Sequence, residues 1–529
     1  TRAAQVTDAA GRQTVIHELY EKFFKNAFPK QAEALGIVYT PVEVVDFILR
    51  TTNQALQRHL GTRLTDEGVQ VLDPFTGTGT FISRLLASGL IEPHDLARKY
   101  TSELNANEMV LLAYYIAAVN IEAAYHDIAG ASDFQPFDGI VLTDTFQMSE
   151  DADVIDHQMF STNTDRALRQ LDLDIRVIIG NPPYSVGQTS ENDANQNLKY
   201  PTLDRSIEQT YATRSASRSV RSLYDSYVRA FRWASNRIGD RGVIAFVSNG
   251  GWIDANSADG MRLTLAEEFN HIYVFNLRGN QRTAGELSRK EGGKIFGAGS
   301  RNTVAITLLV KTGRPGPAEI RYCDIGDYLT REQKLAIVGE GDLDALSWRT
   351  ITPSREGDWL DVRSASFLTF PSVDGAVFRA HSYGLTTNRD SWVYRFSRNQ
   401  LLAQMQLFVT EYNDLLERWN REGGEAQLFV EDPSVRISWS ARLKQRFLQR
   451  HRLDFEKAAV RPAAYRPFTR EFVYMSRSVN ERVRSMPQFF PTPNTANVGI
   501  VITGVSSHFT FTPFIADEIP DLHLLDTCQ

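Results

Sequence analysis

Asn181-Pro182-Pro183-Tyr184 follows directly on the apolar run Val177-Ile178-Ile179-Gly180. Tandem prolines have a fixed φ and no backbone N–H, so they end a strand and freeze the backbone at its exit. The Asn181 amide oxygen and the Pro182 carbonyl can then converge on one spot, with Tyr184 offering a flat face beside it. Two acceptors and a ring suit a planar, weakly nucleophilic –NH2 group on a heterocycle, whose lone pair is drawn out of conjugation as both hydrogens are bound. That is chemistry for methylating the exocyclic nitrogen of a base swung out of its helix. The same four residues also make an ordinary turn, and alone they do not decide between the two.

A second group of residues points the same way. Val69-Gln70-Val71-Leu72 has the pattern of a short buried strand, Asp73-Pro74-Phe75-Thr76-Gly77-Thr78-Gly79-Thr80 that of a tight loop, and Phe81-Ile82-Ser83-Arg84-Leu85-Leu86 that of a helix start. Strand, glycine turn and helix is how open α/β sheets hold nucleotide-like cofactors. A dinucleotide fingerprint needs a third glycine, but Ile82 stands in its place, and no lysine follows as in an ATP-binding phosphate loop. Gly77 and Gly79 permit close backbone approach, and Asp73 suits an ammonium-bearing tail held through water. S-adenosylmethionine fits that better than a pyrophosphate does. Glu103 lies 24 positions after Gly79, where an acid at the end of a strand 99–102 is expected to grip ribose hydroxyls. Asp144, ending a strand 139–143, and Phe146 are expected to hydrogen-bond and stack an adenine ring.

The elements that must position these groups are legible as alternating patterns. Strands are expected to end near Leu72, Glu103, Asp144 and Gly180 and to span 242–247, 272–277 and 303–310, with helices at 42–60, 106–125 and 223–238 between them. Seven strands alternating with helices predict a doubly wound, Rossmann-like α/β sheet, and the proximity of the last two implies that one runs antiparallel. An amphipathic segment 11–28 is expected to be helical, and the polar stretch 187–199 to be a loop beside the Pro-Pro turn. Alternating Pro and Gly at 312–317 predicts a domain boundary, giving a lead-in 1–35, a cofactor-binding domain 36–312 and a mixed α+β domain 313–529. The last of these carries a long helical stripe at 399–420.

Beyond residue 430 arginines outnumber acids and alternate with aromatics. Arg461, Arg466, Arg482 and Arg484 are expected in a nucleic-acid groove, where phosphate contacts position and base contacts specify. Asn388, Arg389 and Trp392 form a further candidate loop, since Asn and Arg match adenine and guanine edges. The net charge of −7 over 529 residues does not itself advertise a polyanionic partner; distribution matters more than total. Cys323 and Cys528 are too few and too distant for a disulfide framework or zinc site. No metal is expected. There is no run of 18 apolar residues and no signal peptide, so a cytoplasmic location is expected.

With these residues in hand the chain resembles amino-group DNA adenine methyltransferases of the gamma order. The glycine loop is similar to their motif I, Asn181-Pro182-Pro183-Tyr184 to motif IV, and Tyr39-Thr40-Pro41, ahead of both, to motif X. Leu277-Arg278-Gly279-Asn280, Thr387-Asn388-Arg389-Asp390, Tyr465-Arg466-Pro467-Phe468 and Ile519-Pro520-Asp521-Leu522 extend the resemblance to the methyltransferase and target-recognition part of single-chain type ISP restriction–modification enzymes. The resemblance implies S-adenosylmethionine bound by Thr40, Pro41, Asp73, Phe75, Thr76, Gly77, Thr78, Gly79, Thr80, Glu103, Asp144 and Phe146. It also implies double-stranded DNA as partner, a prokaryotic, nucleoid-associated setting, a monomer, and an upstream nuclease–helicase portion, since no G-x-x-x-x-G-K-[ST] loop occurs here. RNA or protein-glutamine methylation, and a non-catalytic DNA-recognition role, remain alternatives at this point.

Overall fold

The computed structural model describes residues 40–130, 134–150, 161–183, 200–217, 220–283, 285–296, 302–360, 364–371, 373, 375–432, 434–503 and 512–525. The expected segment 11–28, the loop 187–199, Tyr39, Tyr184 and Cys528 lie outside them. The chain divides into two compact units, Thr1–Ser364 and Ala365–Gln529.

In the first unit the strands are β1 (Gln70–Asp73), β2 (Leu104–Glu108), β3 (Ile140–Leu142), β4 (Ile175–Gly180), β5 (Arg241–Asn249), β6 (His271–Arg278), β7 (Val304–Thr312), β8 (Glu319–Asp324) and β9 (Arg349–Ile351). They form one sheet in the order β3-β2-β1-β4-β5-β7-β6-β8-β9. β1 pairs in parallel with β2 and β4, while β7 runs antiparallel between β5 and β6. The expected antiparallel strand is therefore present, but the sheet has nine strands and not seven. The two additional strands follow from the Pro/Gly run at 312–317. It is not a domain boundary: Gly313 and Gly316 take positive φ (72° and 155°) and turn the chain so that β8 lies parallel to β6, His271 beside Glu319. The boundary falls instead at Ser364/Ala365.

Helix α1 (Val42–Ala55) starts at Pro41, whose carbonyl accepts from Val44 and Val45. Val44, Val45, Ile48 and Leu49 recur at helical spacing and are buried, each contributing roughly 1.5–3 kcal/mol of apolar burial. The helix continues as a π turn, Leu56–Leu60, and stops at Gly61. α2 (Thr80–Ala87) leaves the glycine loop, and α3 (Leu111–Ala129) lays Ala113, Ala117, Ile121 and Tyr125 inward, one residue per turn. The expected strand at 99–102 is absent. Lys99–Glu103 is a π-helical turn, stabilised by the i,i+4 pair of Lys99 and Glu103 at 2.7 Å, and β2 begins only after it. The expected helix 106–125 correspondingly starts later, at Leu111.

The second unit holds a four-stranded sheet, β10 (Tyr394–Arg395), β12 (Thr469–Tyr474), β11 (Val460–Arg466) and β15 (Ile519–Pro520) in that order, and a separate hairpin of β13 (Gly499–Ile502) and β14 (Pro513–Ala516). The predicted stripe becomes a helix, Arg398–Glu422, burying Leu401, Met405, Phe408, Tyr412, Leu416 and Trp419. It forms this unit's own apolar core.

Candidate active site

β1 and β4 are hydrogen-bonded neighbours, with Leu72 beside Ile178. Their carboxyl ends deliver the two chemically distinctive segments side by side: Asp73 and the glycine loop from β1, Asn181-Pro182-Pro183 from β4. Gly180 makes the approach possible, since a Cβ there would stand 3.0 Å from Asp73 Oδ1. Asp73 is fully buried. Its Oδ1 accepts from Phe75 N at 3.2 Å, whereas Oδ2 has no hydrogen-bond partner among the described residues. Burial, with a smaller contribution from the Glu108 charge, pushes its carboxyl up to about 8.

The loop after β1 is held internally. Thr76 donates its N–H to Asn107 O and its hydroxyl to Asp73 O, and Asn120 Nδ2 donates to Thr78 O at 2.9 Å. Gly77 and Gly79 take φ of 58° and 82°, a region that costs other residues about 1 kcal/mol or more. Gly79 is doubly constrained, because a Cβ would meet Ala117 Cα and O and Ile121 Cγ1 at 3.1 Å. Thr80 begins α2, and Phe75 lies edge-on to Phe146 at 5.5 Å.

Of the two remaining acids, Asp144 is near the loop and Glu103 is not. Asp144 caps the short helix α4 (Thr145–Met148) by accepting from Phe146 N and Gln147 N, and its other oxygen accepts from Tyr200 OH at 2.8 Å. Thr145 Oγ1 in turn donates to Pro74 O, so the Asp144–Phe146 segment abuts the glycine loop. Glu103 precedes β2, at the end of that strand remote from the loop. It accepts from Gly68 N and pairs with Arg98 and Lys99, which occupies the carboxylate structurally. The acid at the carboxyl end of β2 is Glu108. Its Oε2 accepts from Gly77 N and its Oε1 from Val110 N, each at 2.8 Å, and burial raises its carboxyl to about 7. The expected strand at 99–102 drew attention to Glu103; the signal for Glu108 was that an acid ending a strand should directly precede the helix that begins at Leu111.

Asn181 is half-buried and donates from Nδ2 to Thr40 Oγ1 at 3.0 Å. Pro182 is buried and Pro183 half-buried. Thr40 and Pro41 thus stand at the Pro-Pro turn, at the N-terminus of α1.

These residues fit a nucleoside bearing a charged amino-acid tail. A buried, unpartnered carboxylate oxygen at Asp73 calls for a cation or hydrogen-bond donor, the glycine turn admits a ligand against its backbone, and Glu108 and Asp144 stand at the next two strand ends.

Comparison with known proteins resolves the families. Residues 12–213 match the N-6 DNA Methylase model and residues 376–529 the Type ISP C-terminal specificity domain. The chain joins an N-6 DNA methylase domain to a Type ISP specificity domain. No curated protein sequence matches it significantly. Among solved structures, a nuclease-deletion mutant of the Type ISP restriction-modification enzyme LlaGI, in complex with a DNA substrate mimic, is 44% identical with a TM-score of 0.85. The match covers 97% of this chain and 42% of that one. The ATP-dependent Type ISP enzyme LlaBIII bound to DNA is 39% identical (TM-score 0.84; 99% and 35%), and the chain of a DrdV–DNA complex 33% identical (TM-score 0.84; 99% and 52%). The chain therefore spans about half the length of these relatives or less.

Within the Type ISP specificity domain the candidate DNA residues separate into two groups. Arg389 is only 3% exposed; it donates to Ser438 O and Ser440 Oγ and lies over the Phe408 ring. Burial lowers its guanidinium to about 10. It braces the fold and does not present itself to a base edge. Trp392 packs on the same ring. Arg466 pairs with Asp521 at 2.6 Å and Asp390 at 3.5 Å and stacks on Tyr465, and Arg461 donates to the Phe490 and Pro491 carbonyls. Arg482 and Arg484 lie on a segment that pairs with the stretch leading to Asn388. Thr386 and Arg482 exchange backbone hydrogen bonds; Arg482 is exposed, as is Asn388, two residues beyond Thr386 and at φ 52°. Arg484 stacks on the exposed Tyr383 at 4.5 Å. Among the described residues no group of three His, Cys, Asp or Glu could hold a metal, and no helix is long and apolar enough to cross a membrane.

Proposed function

We propose that this chain transfers a methyl group from S-adenosylmethionine to the exocyclic amine of an adenine flipped out of double-stranded DNA, as the modification part of a restriction–modification enzyme. The observation that carries this reading is the Asn181-Pro182-Pro183 turn at the exit of β4, one strand from the buried carboxylate and glycine loop of β1, in a chain that also bears a specificity domain.

When bound, S-adenosylmethionine supplies an electrophilic methyl on a sulfonium. Asp73 meets the tail ammonium through its unpartnered oxygen, Glu108 takes the ribose hydroxyls in place of Glu103, and Asp144 and Phe146 receive the adenine. Asn181 Oδ1 and the Pro182 carbonyl accept the two amine hydrogens, Tyr184 stacks the base, and catalysis is positioning and electrostatics. Asn388, Arg482 and Arg484 contact DNA, so site choice belongs to the second unit.

The test is transfer of tritiated methyl to unmethylated double-stranded DNA, to RNA and to protein, followed by single-molecule sequencing of the DNA. N6-methyladenine at one sequence context is expected, with no dependence on ATP. Labelling of RNA or protein with none of DNA would overturn the reading.

A further inference from the structure

We infer that Thr40 is a positioning residue, which holds the Asn181 carboxamide in the one orientation that can accept from the target amine; this rests on the reading above. A carboxamide has a donor end and an acceptor end of nearly the same shape. Half a turn about its last side-chain bond would present two N–H groups to the amine where an oxygen is needed. The Pro-Pro turn fixes where the Asn181 backbone goes but not which end of the amide faces the base.

Thr40 supplies one such constraint. Its hydroxyl oxygen accepts from Asn181 Nδ2 at 3.0 Å, which turns the donor end into the protein. Thr40 is itself 7% exposed, so water does not readily replace it. It is held in place from the other side: Pro41 follows with φ −55°, and the Pro41 carbonyl accepts from both Val44 and Val45, tying the Thr40 segment to α1. Donation by Nδ2 also polarises the amide and makes Oδ1 a better acceptor, since hydrogen bonds in series strengthen one another. Thr40 therefore acts on the amine through Asn181 and touches neither the methyl group nor the base.

The test compares Thr40→Val, Thr40→Ser and Asn181→Ala in the full chain, with tritiated methyl transfer to unmethylated double-stranded DNA and calorimetric titration of S-adenosylmethionine. Thr40→Val keeps the shape and removes the acceptor, so kcat at saturating S-adenosylmethionine should fall about tenfold, the scale of one lost hydrogen bond, over and above any change in cofactor affinity. Thr40→Ser should restore kcat. In the Asn181→Ala background, whose residual turnover is followed at high enzyme, Thr40→Val should cause no further loss. Unchanged kcat in Thr40→Val, weakened cofactor binding with kcat intact at saturation, or full additivity in the double variant would each overturn the inference. Full methylation by Asn181→Ala would instead show that the proposed chemistry itself is wrong, whatever Thr40 does.

Discussion

Glu108 accepts the backbone N–H of Gly77 across the gap between β2 and the glycine loop, at 2.8 Å. The carboxylate that closes the loop in this structure also stands where ribose hydroxyls are gripped in this topology. Even with the Val110 N–H on its other oxygen it is a costly group, because burial raises its carboxyl to about 7.

That cost has a pH signature. The Glu108 carboxyl lies at about 7, raised chiefly by burial, above its unfolded value of about 4.3. The folded protein binds this proton more tightly, so the group costs nothing below the unfolded value and destabilises progressively as pH rises through 7. Cofactor-free protein should lose on the order of 3 kcal/mol between pH 5 and 8 through this group. Glu108→Gln should flatten that slope in thermal melts while weakening S-adenosylmethionine binding at least tenfold. An unchanged slope would show that Glu108 does not titrate in this range.

Asp144 performs two tasks that substitution can separate. Asp144→Asn keeps an oxygen to cap α4 and should cost less than about 1 kcal/mol, whereas Asp144→Ala loses the cap and the Tyr200 contact. Both should weaken cofactor binding if the carboxylate meets the adenine. Calorimetry beside thermal melts distinguishes the two losses.

Gly79→Ala should damage the glycine loop. It forces an alanine to φ 82° and against Ala117 and Ile121 at 3.1 Å. A loss of about 1–3 kcal/mol is expected, with reduced cofactor affinity; denaturant unfolding measures the first.

Arg466 and Arg482 should fail in different assays. Arg466→Ala leaves Asp521, which is 4% exposed, without its ion-pair partner, and should destabilise by about 2 kcal/mol. Arg482→Ala should leave the melting temperature unchanged but weaken DNA binding and lower the salt slope by about one counterion. Equal DNA affinity across 50–200 mM salt in wild type and Arg482→Ala would exclude it as a phosphate contact.

A fragment ending at Ser364 should unfold cooperatively, since it contains every strand of the large sheet. One ending at Thr312 lacks β8 and β9, uncovers the edge of β6 and is expected to aggregate. Size-exclusion chromatography of the two fragments decides this.

Where local pattern and fold agree, the sequence sufficed: β1, β4, the long helix Arg398–Glu422 and the glycine and Pro-Pro turns lie where their residues place them. It failed where distant residues decide. Lys99 and Glu103 resemble a strand end until their i,i+4 pairing and the partners at 66–69 are seen. Arg389 and Arg466 read as free charge because Ser440, Asp390 and Asp521 are far away in the chain. The Pro/Gly run at 312–317 looked like a linker because a crossover turn uses the same residues. The Thr40–Asn181 contact spans 141 positions, and no spacing rule reaches that far.

The adjacency of β1 and β4 has a consequence for tolerance. Neighbouring strands are about 4.8 Å apart by backbone geometry alone, so the separation between the two loop origins is a ruler that side-chain substitution cannot lengthen. Changes elsewhere in the sheet unit can tilt or loosen the reacting groups, but the spacing of their attachment points is inherited from peptide hydrogen bonds. A unit with that property can meet new recognition surfaces by exchange of the second unit without its reaction geometry being rebuilt each time.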